Sequence, residues 1–103
     1  MQDRRSKPRV ECSYPAVVRG TDQNQRRYLR EAVARNLSVG GLYLQVQQPA
    51  EVGSPLLVVV KLSGEPAAAE VLSVAARGVV VRTESRPDGT HGMGIKFSRY
   101  RFI

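Results

Sequence analysis

Two arginines four residues apart, Arg5 and Arg9, stand near the start of the chain with Pro8 between them, and a polar, glycine-rich cluster, Asn36-Leu37-Ser38-Val39-Gly40-Gly41, follows further on. In an extended segment both arginines point to one side with their α-carbons roughly 13 Å apart, so they can grip two parts of one ligand. A guanidinium forks onto a phosphate, donates to guanine O6 and N7, or stacks flat on a base. Asn36 offers hydrogen bonds to a base edge or a phosphate, Ser38 a hydroxyl, and Gly41, without a Cβ, lets a ligand approach the backbone. Taken singly, each group also has a plain structural reading: a basic tail is usually solvated, and Asn, Ser and Gly are ordinary hairpin residues.

The elements that must position these groups read as β-strands. Residues 3–13 are polar and basic, with Pro8 and Pro15 where a helix would lose hydrogen bonds, so they form an extended arm leading into a strand from Tyr14 to Arg19. Gly20 to Gln25 is a turn by composition, and a second strand runs from Tyr28 to Arg35. Beyond the Asn36–Gly41 corner, Leu42, Leu44 and Val46 alternate with Tyr43, Gln45 and Gln47, the pattern of a half-buried strand. Leu56 to Leu62 is a buried, β-branched strand. The stretch 66–77 reads as a strand, bent near Gly78 and continuing through Val79-Val80-Val81, although Pro66 and Ala67 to Glu70 also suit the first turn of a helix. A turn at Arg86–Gly89 leads to a last strand, Gly92 to Phe97. Six short strands at regular spacing predict an all-β protein, a six-stranded antiparallel barrel. The expected organisation is one domain over 1–103, with a flexible basic arm at 1–13 and the barrel at 14–98.

Composition narrows the chemistry. The 103 residues carry 16 Lys and Arg against 9 Asp and Glu, a net charge of +7, and thirteen of the cations are Arg. The partner is therefore an anion. Cys12 is the one cysteine, which excludes an internal disulfide and suits a reducing compartment. With no apolar leader after Met1 and no apolar run long enough to span a bilayer, the expected location is the cytoplasm, without membrane insertion. Nothing in the sequence supplies an activated nucleophile, a catalytic carboxylate pair, a P-loop or a metal set, so neither an enzyme nor a cofactor is expected. His91 reads as a solvated turn residue, Cys12 as an apolar filler, and Tyr14, Tyr28, Tyr43 and Tyr100 as core or rim packing. Arg26, Arg27 and Arg30 read as charged surface, while Arg35, next to the corner, is a further candidate for ligand contact.

The two clusters resemble a known pair. Arg5-Ser6-Lys7-Pro8-Arg9 is similar to the RxxxR motif of the PilZ family, and Asn36-Leu37-Ser38-Val39-Gly40-Gly41 resembles its second motif: Asp or Asn, Ser two residues on, and Gly three after that. Their order and separation match the family, and Gly92 to Phe97 resembles its closing strand. The resemblance implies a receptor for the bacterial second messenger cyclic di-GMP, with the arginines clamping guanines and phosphates and the Asn-x-Ser-x-x-Gly shelf completing the pocket. Ligand contacts are then expected at Arg4, Arg5, Arg9, Asn36, Ser38, Gly40 and Gly41, with Arg4 resembling the extra basic residue of members that hold a stacked ligand dimer. A protein effector or fused domain is the implied partner. Many PilZ domains continue into a C-terminal helix, where this sequence ends at Arg101-Phe102-Ile103. One alternative reading is a basic barrel binding RNA or DNA, which the net charge and four tyrosines permit although nucleic acid is not the expected partner. The other is a PilZ-like interaction module without ligand, which the intact motifs argue against.

Overall fold

Alternation of apolar and polar residues along each strand closes the chain into a six-stranded barrel. The structure is a computed structural model that describes residues 10–62 and 73–102. The strands are β1 (Val10–Thr21), β2 (Arg27–Leu37), β3 (Gly41–Val46), β4 (Pro55–Lys61), β5 (Ser73–Ser85) and β6 (His91–Phe102). They pair antiparallel in the ring β1-β2-β3-β6-β5-β4, and β1 meets β4 from Ala16↔Val60 to Arg19↔Leu57. Closure removes the unpaired edges that an open sheet would expose.

Inward positions are small or β-branched, which suits a narrow barrel. Val18, Ala34, Leu44, Val58, Val60, Val80, Met93 and Ile95 form its centre. In β4 the rhythm is plain: Leu56, Val58 and Val60 are buried, while Leu57 and Val59 are half-exposed. β3 and β4 stand on opposite sides of the ring, so the connection between them crosses one end of the barrel. It is pinned there by backbone bonds from Gly53 N–H to Val80 O (2.7 Å) and from Val80 N–H to Ser54 O (3.0 Å).

Several expectations shift. β1 opens at Val10 and β6 runs to Phe102, so both reach past the expected barrel bounds of 14–98. Gly20 belongs to β1 and not to a turn: it pairs with Tyr28, and a Cβ there would run into the Tyr28 hydroxyl. The turn itself comes later, where the Asp22 carboxylate accepts the Asn24 and Arg26 N–H groups at 2.8 and 2.9 Å. His91 is the half-buried first residue of β6, paired with Val46 and Ser85, and not a turn residue. Of the ambiguous stretch 66–77, Ser73 to Arg77 is strand and the residues before it lie outside the described ones. The bend near Gly78 is a bulge in the β5–β6 pairing. A Cβ there would meet the Lys96 carbonyl at 2.5 Å, so only glycine permits the strands to come this close.

Two other bulges decide which side chains face outward. Ala34 is fully buried opposite Leu44, and simple alternation would send Asn36 into the barrel as well. The register slips between Ala34 and Asn36, leaving Arg35 as the extra residue, and Asn36 comes to lie opposite Tyr43 on the outer face. β5 repeats the device: Val80 is buried opposite Ile95, the register slips, and Arg82 lands opposite Gly94 on the outer face with Val81 as the extra residue.

A groove on the outer wall

The β2–β3 corner is built from its own backbone bonds. Ser38 donates both its N–H (2.9 Å) and its hydroxyl (3.3 Å) to the Gly41 carbonyl, which tightens the turn. Phe97 N–H donates to Gly40 O at 2.9 Å and so fixes the corner to β6. Gly41 has a structural requirement of its own, beside the one its motif position suggests. Its missing Cβ faces the Ile95 carbonyl across the β3–β6 ladder, and a methyl group would collide with that backbone oxygen. Close strand approach is thus one reason for glycine here.

An open groove of about 260 Å³ runs from this corner across the outer wall. Asn36, Leu37, Ser38, Gly40 and Gly41 line one side, Tyr43, Gly94 and Ile95 its floor, and Val81, Arg82 and Lys96 the other side. The expected Asn36, Ser38, Gly40 and Gly41 are therefore brought together. Among the described residues the Asn36 amide has no hydrogen-bond partner, so its donors and acceptor are available to a ligand. Arg35 is not part of the lining; its Nη1 reaches Ser13 Oγ at 3.3 Å instead. Arg30, read as plain surface, sits 4.0 Å above the Tyr28 ring.

Arg4, Arg5 and Arg9 lie outside the described residues. What the structure gives is their point of attachment. Val10, bonded to Arg9, pairs with Leu37, and Glu11 pairs with Asn36. The chain thus enters the barrel beside the Asn36–Gly41 corner, and one peptide link, about 3.8 Å between α-carbons, separates Arg9 from the partner of Leu37.

The floor depends on two glycines of β6. Gly92 and Gly94 face outward and leave a trough between β3 and β5. The Tyr43 ring fills it over Gly92, where a Cβ would overlap the phenol, and its hydroxyl donates to Glu84 Oε1 at 2.6 Å. Though it stands on the outer face, Tyr43 is therefore only 8% exposed. Burial, then the bond to Glu84, raises the phenol above its ordinary pKa, partly offset by Arg86. At neutral pH the group is a protonated donor. Above Gly94 lies the stem of Arg82, whose guanidinium carbon is 5.7 Å from the centre of the Tyr43 ring.

Arg82 and Lys96 are not singled out from the sequence, and Tyr43, weighed there for base stacking, reads as core or rim packing. Their signals are the Gly92-x-Gly94 pair in a strand, which asks for something to fill the trough, and a charged residue two after a core valine, which signals a bulge.

Comparison with known proteins places these features in a wider set. A family model described as PilZ domain matches residues 3–101. No curated protein matches the chain. Among solved structures, the inhibitor of motility MotI/DgrA of Bacillus subtilis superposes with a TM-score of 0.72 at 17% identity, over 97% of this chain and 45% of that one. The PilZ domain of YcgR from Escherichia coli, solved with c-di-GMP, gives 0.66 at 14% identity, over 94% and 79%. MrkH of K. pneumonia, solved as a c-di-GMP complex, gives 0.63 at 20% identity, over 95% and 46%. The chain spans less than half the length of MotI and MrkH.

Proposed function

This chain belongs to the PilZ domain family, and we propose that it is a receptor for cyclic di-GMP that passes ligand binding on to an effector protein or an attached domain. The observation that carries the reading is the register of β1 on β2. Val10↔Leu37 and Glu11↔Asn36 bring the entry of the barrel, directly after Arg9, beside the Asn36–Gly41 corner. The RxxxR segment and the Asn-x-Ser-x-x-Gly shelf, some 25 to 30 positions apart in sequence, can then converge on one ligand. YcgR and MrkH, two proteins of the same fold, were solved with c-di-GMP, which supports the choice of ligand.

In this proposal Arg5 and Arg9 fork onto phosphates or guanine edges, with Arg4 beside them. Asn36 offers its unpaired amide, and Gly40 and Gly41 shape the corner. Ser38 already donates to Gly41 O, so its hydroxyl takes part as an acceptor, or as a donor after the turn loosens. Holding the ligand against the outer wall draws the arm onto the corner and creates a composite surface of ligand, arm and the exposed Val39 for an effector to read. The role is binding and transmission, without catalysis. Titration of cyclic di-GMP followed by amide NMR tests the placement. Shifts should concentrate at residues 36–43 and 94–96; shifts scattered around the barrel would contradict it.

A further inference from the structure

The groove has a second wall that the two sequence motifs do not reach. Among the described residues, Arg82 and Lys96 are the charged ones that line it, and no carboxylate does. Their placement follows from register. Lys96 pairs with Val79 and Gly94 with Arg82, so the two cations are diagonal neighbours on the outer face of β5 and β6. Diagonal cross-strand Cβ atoms lie roughly 7 to 8 Å apart, within mutual reach of side chains this long, and like charges at such positions repel. Among the described residues neither is engaged in an ion pair or a side-chain hydrogen bond.

Arg82 is held in place. The Val81 bulge turns it out of the barrel, Gly94 leaves room for its stem, with Cγ and Nε each 2.9 Å from where a Cβ would stand, and Tyr43 faces its guanidinium. The same kind of bulge turns Asn36 outward on the opposite wall. Two unpaired, diagonally placed cations in a groove are relieved by an anion that bridges them.

We propose that Arg82 and Lys96 form a second phosphate-holding pair, which takes one phosphodiester of the bound dinucleotide on the side of the groove facing the Asn36–Ser38 shelf. The inference rests on the reading of this groove as the cyclic di-GMP site. It adds that the β5–β6 wall, and not the arm alone, neutralises the ligand.

Calorimetric titration of cyclic di-GMP into wild type, Arg82→Met, Lys96→Met and Arg101→Met tests it. Methionine keeps the apolar stem over Gly94 while removing the charge, and thermal melts verify that each variant folds. Arg101 is exposed, five residues beyond Lys96 on β6 and outside the groove, so its variant lowers the net charge equally. Arg82→Met and Lys96→Met should each weaken Kd by roughly ten- to a hundredfold, the worth of a charged hydrogen bond, while Arg101→Met stays within about twofold. If wild type binds and the groove variants behave like Arg101→Met, the second pair is refuted and the receptor reading stands. If wild type does not bind, both fall.

Discussion

Arg82 on β5 reaches across a glycine of β6 to bring its guanidinium carbon 5.7 Å from the ring centre of Tyr43 on β3. Three strands thereby share one outer-face arrangement: Tyr43 lies over Gly92, Arg82 lies over Gly94, and the Tyr43 hydroxyl closes it by donating to Glu84. The groove floor is consequently made of side chains laid flat on a glycine trough, and the behaviour of each glycine depends on what lies above it.

Gly92→Ala and Gly94→Ala should differ sharply. At 92 the added methyl meets the stiff Tyr43 ring, which is tethered to Glu84, so destabilisation of about 1 to 3 kcal/mol is expected from overpacking. At 94 it meets the flexible Arg82 stem, which swings aside, so stability should change by less than about 1 kcal/mol, since alanine also suits a strand better than glycine. Ligand affinity should nevertheless fall in Gly94→Ala because Arg82 is displaced. Denaturant melts together with titrations check both; equal melting losses at the two positions would contradict the trough.

Gly41→Ala should fail as a folding variant before it fails as a binding variant. The methyl group would press on the Ile95 carbonyl, a backbone atom with no easy retreat, and a loss of roughly 1 to 3 kcal/mol is expected. A Gly41→Ala protein that melts like wild type but no longer binds would show that its glycine serves the ligand instead.

Asn36→Ala should do the opposite. The amide has no partner among the described residues, so the melting temperature should hold while affinity drops by about 0.5 to 1.5 kcal/mol for a neutral contact, or up to about 3 for one to phosphate. A large fall in melting temperature would mean that Asn36 holds the corner together.

Alkaline pH should weaken the fold through Tyr43. Its folded pKa is raised above the ordinary value of 10.0, so the contribution is fully present below that value and is lost as pH rises through the folded one. Tyr43→Phe should be less stable than wild type at neutral pH, and the difference should shrink above about pH 10. A difference that stays constant from pH 7 to 11 would show that Tyr43 does not titrate with the fold.

Much of this was legible in the sequence because barrel strands announce themselves by alternation. Leu42, Leu44, Val46 and the Leu56–Val60 run show which face is inward without reference to the rest of the chain. The corner was legible too, since Asn36, Ser38, Gly40 and Gly41 do gather on one wall. What escaped was set by pairing across strands. Alternation assigns Asn36 and Arg82 to the inside, and only the register slips at Arg35 and Val81 turn them out. Gly20 looks like a turn residue until the Tyr28 side chain on the neighbouring strand occupies its Cβ position. Tyr43 sits on the polar face, as its alternation indicates, yet is buried because the facing glycines leave space for its ring.

The central claim is that the chain before Val10 and the corner after Asn36 grip one cyclic dinucleotide. Isothermal titration of cyclic di-GMP into wild type and Arg9→Ala tests it most directly. The account predicts saturable heat with Kd at or below about 1 μM to 10 μM, which is a ΔG near −7 to −8 kcal/mol, and a loss of about 1.5 to 3 kcal/mol on removing Arg9. No heat and no thermal shift with the dinucleotide, or binding that Arg9→Ala leaves untouched, would contradict it.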